Sequence, residues 1–168
     1  MIQGYYRNRF EIFIVAIVVG LIALIAIDRY SLMIKDARAL RLEIISHHFM
    51  TAAANMRAEF LVSQVGAPIL HQSLLVGEKL VYMSDQGWPL STSIPEDQFR
   101  PTDEDCSFLW VTFLQNPAPI IQGQFSDGKT EYRAFAHYDH CRYGLIVDDA
   151  YFDYYPVTGR LLFSPLSP

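Results

Sequence analysis

The densest run of chemistry-bearing side chains is His137-Tyr138-Asp139-His140-Cys141. Two imidazoles three positions apart, a carboxylate and a thiol are all zinc-ligand types. On a single extended strand, His137 and Asp139 face one side and His140 the other. One metal site would therefore need a tight turn within the segment, and Cys141 would be no ligand once oxidised. The expectation is no metal and no cofactor. Other arrangements are poorer still. The chain contains no Gly-rich phosphate loop, no Gly-x-Ser-x-Gly and no His-Glu-x-x-His. Thr102-Asp103-Glu104-Asp105 lacks the full calcium-loop pattern and reads as a solvated turn. Asp148-Asp149 reads as exterior. His47-His48 lie next to each other on a predicted helix, point in different directions and are expected to be solvated. Nothing marks a pair of acid–base carboxylates, so the expectation is a protein that is not an enzyme.

The elements that must position these residues divide into a helical and a β-rich part. From Asp28 to about Val65 there is neither Pro nor Gly, and good helix formers abound. Leu42, Ile45, Phe49, Ala52, Met56 and Phe60 recur at spacings of three and four, which gives one apolar face to hold a sheet of the same chain; a coiled coil is the alternative, disfavoured because clean heptads are too few. Gly66 and Pro68 supply a stop. Beyond them, short runs rich in Val, Tyr and Phe alternate with turn residues. Strands are expected at 79–83, 108–114, 120–125, 130–138, 142–147, 151–155 and 160–163. Hairpin turns are expected at Ser126-Asp127-Gly128, near Asp139 and at Tyr155-Pro156-Val157-Thr158-Gly159. The stretch from Gly87 to Asp105, with Trp88 and three prolines, reads as an irregular loop. The fold class is α+β: one long N-terminal helix packed on a mainly antiparallel β-sheet.

The chain has 168 residues, 51% of them hydrophobic and 18% charged, with a formal net charge of -5. No basic stripe is present, so nucleic-acid binding is not expected. The apolar excess is concentrated near the N-terminus. Ile12 to Ile27 is an unbroken apolar run, interrupted only by Gly20. As a helix it would span roughly 24 Å, slightly less than the ~30 Å hydrocarbon core of a bilayer. Phe10, Tyr5, Tyr6 and Tyr30 carry it to both interfaces, where aromatic rings settle. Arg7 and Arg9 precede it, and no comparable positive cluster follows directly. Residues 1–9 are therefore expected in the cytoplasm, 10–30 across the membrane, 31–65 as a periplasmic continuation of the helix and 66–168 as a periplasmic β-rich domain. A cleaved secretory signal is disfavoured, because the apolar run is long and no small-x-small site follows it.

Two cysteines, Cys106 and Cys141, lie far downstream of this run. An even count in an exported domain points to a disulfide, with two free thiols as the alternative. Glu11 is the oddity of the anchor. A carboxylate deep in a membrane costs about 3 kcal/mol, and much less near an interface. It either rests at headgroup level, helped by the helix dipole, or pairs with a cationic group on a neighbouring subunit.

The spacing of Glu11, Gly20 and Tyr30, with small and β-branched residues between, resembles the N-terminal helix of type IV pilins and pseudopilins. The segment Ile27-Asp28-Arg29-Tyr30 is similar to the end of that helix, although the family usually has proline where Asp28 stands. Gly87-Trp88-Pro89, Cys141-Arg142-Tyr143 and Tyr154-Tyr155-Pro156-Val157-Thr158-Gly159-Arg160 extend the likeness into the C-terminal domain. Length, anchor and cysteines are most similar to minor-pilin-like biogenesis proteins of the mannose-sensitive haemagglutinin (MSHA) pilus. The resemblance implies a structural or biogenesis component of a type IV pilus that acts by helix packing in assembly or initiation. Its implied partners are other pilin or minor-pilin subunits, the inner-membrane assembly platform and membrane lipid. Glu11, Gly20 and Tyr30 would make the contacts within the membrane. The chain departs from the family at the peptidase site: Tyr6 and Arg7 stand where a glycine and a new first residue, usually phenylalanine, are expected. Residues 1–6 are therefore expected to stay attached. The alternative function is a single-span inner-membrane scaffold or sensing module that never enters a filament.

Overall fold

The computed structural model describes residues 3–63, 73–76, 79–92, 99–123 and 130–165, with side chains from Glu11 onward. The first element, α1, is a single α-helix, Gln3–Ser63. The expected stop at Gly66 and Pro68, and the turn at Ser126-Asp127-Gly128, lie outside the described residues. The chain divides into two compact units, Met1–Arg38 and Ala39–Pro168. The boundary falls inside the helix and not at its end, because the residues after Arg38 bury side chains against the sheet.

Among the described residues, the second unit holds two sheets and a short helix. Strands β1 (Ser73–Val76), β2 (Lys79–Met83) and β3 (Pro89–Ser91) form an antiparallel three-stranded sheet in the order β1-β2-β3. Strands β4 (Ile120–Gln122), β5 (Tyr132–His137), β6 (His140–Leu145), β7 (Tyr151–Tyr155) and β8 (Arg160–Ser164) form the other, in chain order. Only β4 runs parallel to its neighbour; β5 to β8 are antiparallel. The class is α+β, a long N-terminal helix with mainly antiparallel sheets, as the residue pattern implies. Strand β1 was not among the expected strands.

One expectation fails outright. The stretch 108–114, expected as a strand, lies almost wholly in helix α2, Asp103–Phe113. Its Phe, Trp, Val and Thr favour strands locally, but two stronger terms act the other way. Thr102 and Asp105 form a reciprocal capping box, with Thr102 Oγ1 accepting from the Asp105 N–H and the Asp105 carboxylate accepting from the Thr102 N–H. Three acidic residues in the first turn also complement the helix dipole. Tertiary burial then selects the helical period, because Cys106, Leu109, Trp110 and Phe113 line one buried face. The solvated-turn reading of 102–105 is corrected with it, since Asp105 is buried. The expected loop from Gly87 to Asp105 is likewise corrected: it contains β3 and the first turn of α2.

The core is aromatic. Phe49 of α1 meets Phe113, Tyr143, Phe152 and Tyr154 at ring-centroid distances of 4.7 to 5.5 Å. Trp110 stacks on Tyr143 at 5.6 Å and donates its indole N–H to the Ala118 carbonyl. Cys106 of α2 and Cys141 of β6 form a disulfide that pins the short helix to the sheet. Closing a loop of that length stabilises a fold by roughly 3–4 kcal/mol in the chain-entropy description.

Candidate functional site

Every described side chain from Glu11 to Met33 is exposed in the isolated chain. From Ile12 to Ile27 that surface is apolar throughout, which is incompatible with water on all sides and calls for a cover of lipid or protein. The helix is long and apolar enough to cross a membrane once. Gly20 has nothing within 4 Å of where a Cβ would stand, so its lack of a side chain leaves room for a close neighbour and serves no contact within the chain. Tyr30 is 68% exposed at the far end of the run. The three residues do not share one face. Nine residues make about two and a half turns, so Gly20 faces opposite to Glu11; ten more carry Tyr30 to a third direction.

The C-terminal part of α1 has the stripe that holds the β-rich unit. Leu42, Phe49, Met56 and Phe60 are buried. Ile45 and Ala52 lie on its flank, partly buried against the core, while Ser46 and Ala53 complete its centre. The buried run is therefore 42, 46, 49, 53, 56 and 60, and Ser46 fits because its hydroxyl donates to the Glu43 carbonyl at 2.7 Å. The signal for Ser46 and Ala53 was the alternation of four and three itself, which a search for large apolar residues passes over. Arg41 borders an open groove of about 620 Å³ between α1 and the end of α2, where it is held by Glu131 at 2.9 Å. His47 and His48 are exposed, as their position on the helix implies.

The turn at Trp88 locks helix to sheet. Gly87 adopts φ 79° and Gly159 φ 68°, both in the region that favours glycine. A Cβ on Gly159 would overlap the Trp88 ring, so the β7–β8 turn must pass the indole as bare backbone. Arg57 of α1 lies over the same ring at 4.7 Å.

The histidine segment folds differently from a single strand. Tyr138-Asp139 is a two-residue hairpin turn, and His137 and His140 are cross-strand partners on one face, with rings 4.9 Å apart. His140 is buried, and its Nδ1 lies 2.8 Å from Asp139. Asp153 is held by two hydrogen bonds from Arg142, at 2.7 and 2.8 Å, which raise the Arg142 guanidinium above its usual value despite partial burial. Cys141 points to the opposite face and is oxidised. Among the described residues, no group of three or more His, Cys, Asp or Glu side chains is arranged to hold a metal ion. Asp148, read as exterior, is buried, whereas Asp149 is exposed.

Comparison with protein-family models, with curated proteins and with solved structures returned no match.

Proposed function

We propose that this chain is a non-enzymatic, minor-pilin-like component of a type IV pilus of the MSHA type, and that it acts by helix packing during pilus assembly or initiation. The observation that carries the reading is that one helix, α1, contains both an apolar segment in need of a cover and the stripe that grips the β-rich unit. A chain built in this way can pack against neighbours through the apolar segment while carrying a folded domain. The resemblance of Glu11, Gly20 and Tyr30 to the pilin helix supplies the identity of those neighbours: other pilin or minor-pilin subunits and the inner-membrane assembly platform. In this reading residues 1–9 are cytoplasmic, the span lies in the inner membrane and the disulfide-bonded domain lies in the periplasm. Glu11 and Gly20, on opposite sides of the helix, contact two different neighbours.

Replacing Glu11 with Ala tests this. The variant is expected to reach wild-type levels in the inner membrane, yet to yield fewer surface pili and less co-purified pilin. Unchanged piliation together with unchanged co-purification would overturn the assignment. The competing reading, a single-span scaffold or sensing module, expects recovery with membrane proteins but never with sheared pili.

A further inference from the structure

Side chains alternate along each strand, so the residues between the buried aromatics of β5 to β8 form a second face of the sheet. Cross-strand rows run over that face. In one, His137 stacks on His140, His140 on Tyr155 at 4.8 Å, and Arg160 lies 4.4 Å over Tyr155. In the next, Phe135 pairs with Arg142 and Arg142 with Asp153. The second of these rows pairs its own charges, Arg142 with Asp153. The third row, Arg133, Gly144, Tyr151 and Ser164, carries one cation and no carboxylate. Gly144 contributes no side chain between Arg133 and Tyr151, and a Cβ there would come within 3.3 Å of Tyr151 Cβ and the Ala150 carbonyl. The gap in the row, together with the β6–β7 turn carrying Asp148 and Asp149, makes a pocket of about 240 Å³.

The charges around this pocket are unusual. Arg133 Nε is buried without a hydrogen-bond partner, and its guanidinium lies 5.6 Å from the centre of the Phe135 ring. Asp149, which lines the same pocket, is exposed. The two line the same pocket and form no ion pair with each other. Arg142 is spoken for, since its guanidinium grips Asp153 and lies 4.0 Å over the Tyr151 ring, fixing that wall. A guanidinium with an unpaired donor suits a carboxylate or a phosphate. A phosphate dianion would be repelled by Asp149, and a plain cation by Arg133. A ligand with both charges, a few bonds apart, answers both sides. The volume falls below the roughly 300–1,000 Å³ of sites for drug-sized ligands and suits a molecule of about ten non-hydrogen atoms.

We propose that this pocket binds a free α-amino acid, its carboxylate on Arg133, its ammonium group on Asp149 and its side chain against Phe135 and Tyr151. The site lies in the β-rich unit and stands or falls independently of the pilin-like assignment. It gives the chain a means of reporting a small metabolite from the periplasm, whether or not it joins a filament.

Isothermal titration of the full-length protein in detergent micelles with each of the common amino acids tests this. At least one is expected to bind with a Kd below about 1 mM. Its N-acetyl and its carboxamide derivatives, each lacking one charge, are expected to bind at least about tenfold more weakly, as are Arg133→Gln and, more mildly, Asp149→Asn. Arg133→Lys keeps the charge but loses the fork and is expected to fall between. Near-ultraviolet circular dichroism of each variant separates lost binding from lost folding. No binding of any amino acid at about 10 mM would overturn the proposal. So would wild-type affinity in folded Arg133→Gln, or in folded Asp149→Asn, and so would equal binding of the acetylated and amidated derivatives.

Discussion

Tyr143 donates its phenol to the Cys106 carbonyl at 2.8 Å, fully buried between Trp110 and Phe152. Burial pushes its pKa well above that of a free tyrosine, with smaller contributions from Tyr154 and Asp105. Tyr154 is likewise raised by burial, and its phenol reaches the Pro89 carbonyl. The consequence is a stability that depends on alkaline pH. Below about pH 10 both the folded and unfolded chains keep these protons, and the stabilisation is complete. Above it the unfolded chain ionises while the folded one stays neutral, so the unfolded chain binds fewer protons and stability falls. Each buried tyrosine contributes roughly 1.4 kcal/mol per pH unit until its own folded pKa is reached. Denaturant unfolding of the full chain in micelles should show this decline from about pH 10 upward, and Tyr143→Phe should make it shallower. A midpoint unchanged through that range would contradict the burial described for both phenols. At this same scale, Glu11, Gly20 and Tyr30 were legible as a spacing. Their different faces follow from the same spacing once 3.6 residues per turn is applied. The pairing of Cys106 with Cys141 was legible from the even count. Arg133 and Gly144 were not, since neither is unusual until the sheet register sets them beside one another.

The stripe on α1 shows which features of an element the sequence reveals. Leu42, Phe49, Met56 and Phe60 repeat with the helical period, and all four are buried in the sheet's aromatic core. The period is a property of the chain alone, so it survives in the sequence. Helix α2 was not legible because its Phe108 to Phe113 run carries strand-forming residues, and the deciding terms were the Thr102–Asp105 cap and burial on one side. The capping pattern was present in the sequence but was read as a solvated turn. The strands were found to within a few residues where a hairpin joined them, as at Tyr155 to Gly159. Strand β4 was placed, but its parallel pairing with β5 was not, since pairing direction depends on the connection, not on either strand. Phe49 is where the helix and sheet meet most closely. Phe49→Ala should cost about 3–5 kcal/mol, because four rings lose a partner and a cavity remains. Val62→Ala, on the exposed side of the same helix, should change stability by less than about 0.5 kcal/mol. Denaturation followed by tryptophan fluorescence distinguishes them, and equal losses would contradict the packing.

At the scale of the whole molecule, the two units set two different problems. The unit from Ala39 onward has a core of its own, with aromatic packing, a disulfide and a capped helix. In the unit up to Arg38, the apolar side chains from Ile12 to Met33 have no cover within the chain. Lipid alone would meet the physical requirement, and a pilin-type neighbour would meet it with specificity. That distinction is the central claim, and site-specific photo-crosslinking in intact cells tests it most directly. A photoreactive residue would be placed in turn at Phe13, Ile17, Gly20, Leu24 and Ile27. The account predicts protein adducts of pilin-type subunits from at least the Gly20 position, with yields that rise and fall around the helix. Adducts with lipid alone at every position would contradict it.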